Sequence, residues 1–397
     1  MTPFRVFIYF SMWGLVVVAA NTLQAQGIDS TALQSLQNAA ANSQSQALLV
    51  YYQNQPVCEN YFGGSPRKFD LRFITPSVAS LAIAHLLSSG KLPDWNVPLS
   101  KYFPAFNTPE KQAITLDLLL KHQTGLQAVS YEDADFAQAP DYVEAALQAP
   151  VARTPGTYFS YNNKTLQLLA ALVLQISGQP IDQYLQQHLF SKLAIDATWQ
   201  HDQVGQVVVY TGLQMTATDL AKIGQLILQK GEWNGQSLIA PIWIEALMEN
   251  HPNDYLPYGM LWWLIPAKTR LIVDEPQLKQ LATAGANADF LEKAKGVMGV
   301  YENQKTYIEA LVAVFGQNYM QTLSAELSPL GLHLSRKVFD DIIGYKADGY
   351  TGQYLIVYPQ QQLVAVRLLD SPPNYQADLH KMVNFEIMVQ ALLKINR

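Results

Sequence analysis

The sequence predicts an α/β fold: a mainly antiparallel sheet flanked by helices, with an all-helical subdomain inserted. Three observations carry this expectation. β-rich runs stand near both ends of the chain, "ALLVYYQNQPVCENYF" and "YLIVYPQQQLVAVRLL", each divided by turn residues as a hairpin is. Helix-patterned segments fill the middle, such as "KTLQLLAALVLQISG" and "ATDLAKIGQLILQKG", each stopped by glycine. A further stretch of helical pattern, from about Ile265 to Tyr345, separates "YGMLWWL" from "GYKADG". Strands at both termini with helices between them imply one sheet assembled from distant parts of the chain.

At the N-terminus, Arg5 precedes the apolar run "VFIYFSMWGLVVVAA", which gives way to "NTLQAQ". One positive charge, a short apolar run and a small-residue exit predict a secretory signal peptide over residues 1–25. The run is shorter than a spanning helix needs, and cleavage is expected after Ala20 or Ala25. The mature chain, 26–397, is then exported to the periplasm or the extracellular space, with no membrane span left. A polar helix follows, then the first hairpin, turning at Asn54 and Pro56. Cys58 falls in that hairpin as a strand-buried thiol, and as the sole cysteine it excludes an internal disulfide.

A helical subdomain is expected over about 100–240 and an extra helical insertion over about 265–345. Within the insertion "YIEALVAVF" is too apolar to lie free in water; Ile308, Leu311, Val312 and Phe315 make one helical face. That face must bury against the body, against the rest of the insertion, or in a partner. The insertion itself either covers a cleft or offers a separate surface. The second hairpin turns at Pro359, and an apolar-periodic helix from about Gln376 to Leu393 closes the chain.

Seven landmarks stand in order: "SSGKL", "PLSKYFPAF", "ITLDLLLKHQTGL", "PGTYFSYNNKTLQLLAALVLQISG", "TGLQMTATDLAKIGQLIL", "YGMLWW" and "ADGYTGQYLIVYP". Together they resemble the serine β-lactamase and penicillin-binding-protein superfamily, nearest to class C β-lactamases, related esterases and nylon-oligomer hydrolases. The resemblance runs from about Ala47 to the C-terminus and implies a β-lactamase/transpeptidase-like fold.

It also implies where catalysis would sit. Such relatives carry Ser-x-x-Lys at the N-terminus of the helix that ends in the Gly-Lys-Leu stretch. That spacing puts both side chains on one helical face, so that the amine can take the hydroxyl proton. In this chain the serine slot falls on Phe73 and the lysine slot on Pro76, with "FDL" before them fixing the register. Phenylalanine has no nucleophilic atom and proline has no base. Thr75 is expected to cap the helix and Pro76 to suit its first position. The second motif, Tyr-x-Asn, is kept as Tyr161 and Asn163, whereas the third, usually Lys-Thr-Gly or His-x-Gly, falls on Ala347, Asp348 and Gly349. A solitary tyrosine, with a pKa near 10, is phenolate only about once in a thousand at pH 7.

Ser65 and Lys68 fit Ser-x-x-Lys literally, but upstream of "FDL" in a Gly-Gly-Ser-Pro turn. They are the alternative nucleophile pair. Ser77 and Ser80 lack a lysine at the required spacing. His122 belongs to a structural turn, and the Trp262-Trp263 pair to core packing.

The seven histidines show no metal-ligand spacing, and no glycine loop fits a phosphate. No metal and no cofactor are expected. With 15% charged residues and a net charge of −6, the chain lacks the basic face of a nucleic-acid binder. The sequence therefore predicts a protein that no longer catalyses and instead binds a small molecule, a peptide or a protein partner. The alternative is an active serine hydrolase of esterase, amidase or peptidase type that uses another nucleophile.

Overall fold

The computed structural model describes residues 27–128, 136, 138–249, 256–370 and 374–393. The expected signal peptide lies outside the described residues. The described residues divide into two compact units, those within 1–248, 260–262 and 346–397 making the first and those within 249–259 and 263–345 the second.

The first unit opens with helix α1 (Ser30–Asn42), where Asp29 accepts the amides of Thr31 and Ala32 as a side-chain cap. Strands β1 (Ala47–Tyr52) and β2 (Gln55–Asn60) then form the expected hairpin. Its turn is Gln53-Asn54, with φ of 50° and 60°, the left-handed pair that a two-residue hairpin turn requires. Pro56 lies beyond the turn, opposite Tyr51 at a register shift; as a member of an edge strand it forfeits no ladder bond. Cys58 is buried on β2 and takes a hydrogen bond from Gln37 at 3.3 Å.

A short three-stranded sheet follows, in which β3 (Phe69–Asp70) and β4 (Thr198–Trp199) flank β5 (Leu213–Met215). Helix α2 (Thr75–Ser88) leaves β3 through a 3₁₀ turn, Arg72–Ile74, and is buried along almost its whole length. Thr75 does not cap it. Its Oγ1 accepts the Leu213 amide at 3.3 Å, because the 3₁₀ turn runs straight into the helix with Ile74 at the cap position. Pro76 lies in the first turn, as the second residue of the helix, because Thr75 takes the first position expected for it.

Helix α3 (Asn163–Ser177) ends on Gly178 at φ 74°, a left-handed stop that glycine adopts without strain. Helix α4 (Ala217–Leu228) lies on the sheet through Gly224. A Cβ there would stand 2.6 Å from Val364 and 2.8 Å from Leu355, so only glycine permits this approach. The small hairpin β6 (Glu232–Trp233) and β7 (Gln236–Ser237) follows α4.

In the second unit, β8 (Trp263–Pro266) precedes β9 (Thr269–Val273), which is paired on both sides, by β10 (Gly299–Tyr301) and by β11 (Arg336–Phe339). Helices α5 (Glu275–Thr283), α6 (Ala288–Ala294), α7 (Gln304–Phe315) and α8 (Tyr319–Leu327) accompany them. The insertion is thus not all-helical. "TRLIV" and "RKVF" are short runs whose β-branched and aromatic residues gain nothing alone and form strands only by pairing with each other.

The apolar face of α7 buries against the rest of this unit, around Leu271, Leu281, Phe290 and Leu327. Tyr307 and Leu311 are its buried residues, with Val314 and Phe315 packed beside them, while Ile308 and Val312 stay partly exposed. The buried stripe is therefore rotated from the expected one. It follows Tyr307, whose ring packs on Tyr301 of β10 at 5.2 Å.

Strand β12 (Ile342–Asp348) returns the chain to the first unit, where β13 (Tyr354–Tyr358) and β14 (Leu363–Leu368) form the second expected hairpin. The main sheet there runs β2-β1-β14-β13-β12, antiparallel along β2-β1-β14-β13. Segments 321 residues apart in the chain (368 − 47) thus lie side by side, with Ala47 opposite Leu368.

The C-terminal helix is interrupted. It forms α9 (Ala377–His380) and α10 (Phe385–Gln390), with Met382 at φ 50° between them. The reason is the buried Arg367 on β14. Its guanidinium donates to the carbonyls of His380 at 2.6 Å and Gly352 at 2.6 Å, and to Ser43 and Ser45. The Tyr354 hydroxyl takes the Lys381 carbonyl at 2.9 Å. Carbonyls that would continue the helix are captured by the sheet instead. Burial pulls the Arg367 pKa down to about 10, which leaves it charged at neutral pH, held by the carbonyl ends of α1 and α9.

Candidate functional site

Phe73 sits in the 3₁₀ turn at the start of α2, immediately after Arg72, whose φ is 51°. A left-handed non-glycine residue is costly, and such strain clusters at functional sites. Two more such residues belong to the same neighbourhood, His122 at 56° and Leu261 at 64°. The amide of Leu261 donates to Leu120, and its carbonyl accepts from the Ser77 hydroxyl at 2.6 Å. Three left-handed non-glycine residues, Arg72, His122 and Leu261, thus belong to the segments around Phe73.

The Phe73 ring stands edge-on to Tyr161 at 5.8 Å between centroids and edge-on to Tyr350 at 6.4 Å. Tyr161 in turn packs on the His122 imidazole at 4.3 Å with the rings tilted by 30°, and Tyr350 meets Tyr375 at 6.1 Å. A continuous aromatic wall results. Such pairs contribute about 0.5–1.5 kcal/mol each beyond the area they bury. Tyr350, on the turn between β12 and β13, is 46% exposed and presents this wall to solvent.

Burial pushes the Tyr161 phenol well above its ordinary value, and the Asp348 carboxylate raises it further. Tyr161 is therefore a neutral hydrogen-bond donor at physiological pH and no base. Burial drives the His122 imidazole down to about 3. Its Nδ1 accepts the Asn162 amide at 3.2 Å, as a neutral imidazole can, so its part is to fix the turn before α3. Asn162, the middle residue of the Tyr-x-Asn motif, is the fully buried member. Its side chain caps α3 through the Lys164 amide and donates to the carbonyls of Leu126 and Gln127. Asn163 is the first residue of α3 and partly buried.

Pro76 is buried in the first turn of α2. Ala347 is fully buried on β12. Gly349 follows it, and a Cβ there would come within 2.5 Å of the Gln353 side chain, so glycine is needed for the turn itself. Ser65 and Lys68 are not on a helix: Ser65 is exposed in an irregular stretch, and Lys68 reaches away to Thr198 and Asp196, each at 2.8 Å. Ser80 donates to the Ser77 carbonyl and accepts the Trp262 indole N–H at 3.2 Å, and Trp262 is a core residue with no exposure.

The Beta-lactamase family model matches residues 36–382 of this chain. The chain belongs to the Beta-lactamase family. Among curated proteins of that kind it is 32% identical over 142 residues to the putative penicillin-binding protein PbpX of Bacillus subtilis. That match covers 35% of this chain and 32% of the relative. This chain thus spans about a third of the length of the curated relatives it first matches. Among solved structures, a putative β-lactamase from Bacteroides dorei superposes with a TM-score of 0.63 at 15% identity, covering 92% of this chain and 99% of that one. A putative 6-aminohexanoate-dimer hydrolase from Bacillus anthracis gives 0.59 at 16%, covering 89% and 81%. These likenesses establish the β-lactamase/transpeptidase-like fold.

Within the family fold, Phe73, Tyr161 and Asn163 gather where α2 and α3 begin, while Ala347 and Gly349 stand at the end of β12. Sequence reasoning missed Tyr350, Tyr375 and the charge of Asp348 as parts of this region. The run "DGYTG" carried one signal, a tyrosine in a tight turn where exposure is expected. Tyr375 carried none.

Among the described residues no group of three potential metal ligands converges, and no helix is long and apolar enough to cross a membrane.

Proposed function

We propose that this protein is an exported, catalytically silent member of the Beta-lactamase family that binds a small molecule, a peptide or a protein partner. One observation carries the reading. The turn that opens α2 presents the ring of Phe73, packed on Tyr161 at 5.8 Å and Tyr350 at 6.4 Å. A ring there offers no nucleophile and takes up space an attacked carbonyl would need. The rest agrees with it: Pro76 supplies no base, Tyr161 stays protonated, and Ala347 replaces a cation or imidazole with a methyl group. The strained backbone at Arg72, His122 and Leu261 persists, which suits a cleft that still recognises a ligand. Export rests on the charged and apolar pattern of residues 5–25.

Fluorophosphonate labelling, read by mass spectrometry, tests the silent site. The purified mature protein is expected to show no labelled serine, no penicillin adduct, and no hydrolysis of nitrocefin or p-nitrophenyl esters. Stoichiometric labelling of any serine would overturn the reading, and labelling of Ser65 would establish the Ser65–Lys68 pair as its replacement.

A further inference from the structure

A recess of about 220 Å³ lies in the first unit, lined by Lys346 and Asp348 of β12, by Lys381, and by Val383, Phe385 and Glu386. None of the cleft positions Phe73, Pro76, Tyr161 or Asn163 lines it. Lys346 and Asp348 are two residues apart on a strand and so share one face. Four charges thus face one small space, and two of them are already matched: Lys346 and Glu386 form an ion pair at 2.8 Å.

The other two are not matched. Asp348 and Lys381 have opposite signs, and Asp348 lies in the fields of Lys346 and Lys381, yet among the described residues neither the Asp348 nor the Lys381 side chain has a hydrogen bond or an ion-pair contact. Both are held on fixed backbone. Asp348 ends a sheet strand, and the Lys381 carbonyl is tied to the Tyr354 hydroxyl at 2.9 Å. Leaving a partly buried carboxylate unpaired is costly, and a gap between two such charges is a receptor for a molecule carrying both complements. Beside them, Phe385 and the 82%-exposed Val383 supply an apolar wall. At about 220 Å³ the space is smaller than the ~300–1,000 Å³ of drug-sized sites.

We propose that this recess binds a small zwitterion of the α-amino-acid class, its ammonium on the Asp348 carboxylate, its carboxylate on the Lys381 ammonium, and an apolar side chain against Phe385 and Val383. Asp348 borders both this recess and the candidate site, and the proposal does not depend on whether the cleft is silent.

Isothermal titration of the full mature protein with racemic leucine tests this, alongside 4-methylpentanoate, which lacks the ammonium, and isoamylamine, which lacks the carboxylate. Leucine is expected to bind saturably, with each half-ligand weaker by about tenfold or more, the cost of one charge-assisted contact. Asp348→Asn and Lys381→Met are each expected to weaken leucine by about the same factor. No leucine binding up to about 10 mM would overturn the proposal, and would mean that Asp348 and Lys381 close on each other in solution. Half-ligands binding as well as leucine would also overturn it, as would undiminished binding by a folded Asp348→Asn protein. The half-ligand comparison needs only the unmodified protein, so a variant that fails to fold leaves the test intact.

Discussion

If the proposed reading holds, replacing Phe73 by serine and Pro76 by lysine writes a Ser-x-x-Lys pair into α2 and separates two explanations of a silent cleft. If only the pair is missing, activity should return; if the surroundings have also changed, it should not. The structural cost can be worked out first. Phe73 is partly buried, so its removal forfeits about half of the ~1.5–3 kcal/mol that full burial is worth. Its edge-on contacts with Tyr161 and Tyr350 add about 0.5–1.5 kcal/mol each. Loss of Pro76 from the first turn returns entropy to the unfolded chain, about 0.4–1 kcal/mol. Together these come to about 2–5.5 kcal/mol. At roughly 2 °C per kcal/mol for a unit of this size, the double variant should melt about 4–11 °C lower by calorimetry. In p-nitrophenyl acetate hydrolysis we expect a rate within about tenfold of background, whereas a working nucleophile is worth on the order of a millionfold. Tyr161 remains a protonated phenol beside Asp348, and Ala347 still supplies no positive charge. A variant that hydrolyses the ester at rates typical of family esterases would refute the claim that the surroundings are inactive. An unchanged melting temperature would refute the packing argument.

Acid should weaken the fold through its buried imidazoles. Burial holds His122 at about 3 and His85 at about 4, below the ordinary value near 6.5, so the unfolded chain binds more protons between those limits. Stability is then full above about pH 6.5 and falls as the pH drops toward 4, with His122 alone accounting for about 1.4 kcal/mol by pH 5.5. Urea unfolding across this range should show the loss, and His122→Asn, which keeps an acceptor and tolerates the positive φ, should flatten it. An identical slope in the variant would show that His122 is not its source. Arg367→Met should lower stability by about 3 kcal/mol or more, because buried carbonyls of His380, Gly352 and Ser43 lose their donor. The urea midpoint measures it, and a shift below about 1 kcal/mol would mean that water or a neighbour replaces the guanidinium.

Much of this molecule was legible in the sequence because its signals are local. Asn54 in the first hairpin turn, Gly178 after α3 and the apolar β-rich runs of β13 and β14 each specify a short segment through its own backbone preferences. The order of seven landmarks pointed to the family, and the residues in the first two motif positions, Phe73 and Pro76, could be read by counting. What lay beyond reach depends on segments that meet only when the chain closes. Nothing within "DLHKMVNF" says that the helix must break; the break comes from Arg367 and Tyr354, which take the carbonyls of His380 and Lys381 from the sheet side. Short runs such as "TRLIV" become strands only when a partner distant in sequence supplies the other half of the ladder. The aromatic wall joins Phe73, Tyr161, Tyr350 and Tyr375 from four separate parts of the chain. The unmatched Asp348 and Lys381 come to face one recess in the same way. Residue types and local spacing set which segments form; long-range packing alone sets which side chains meet, because each such contact is fixed by the closure of a loop whose two ends carry no local record of each other.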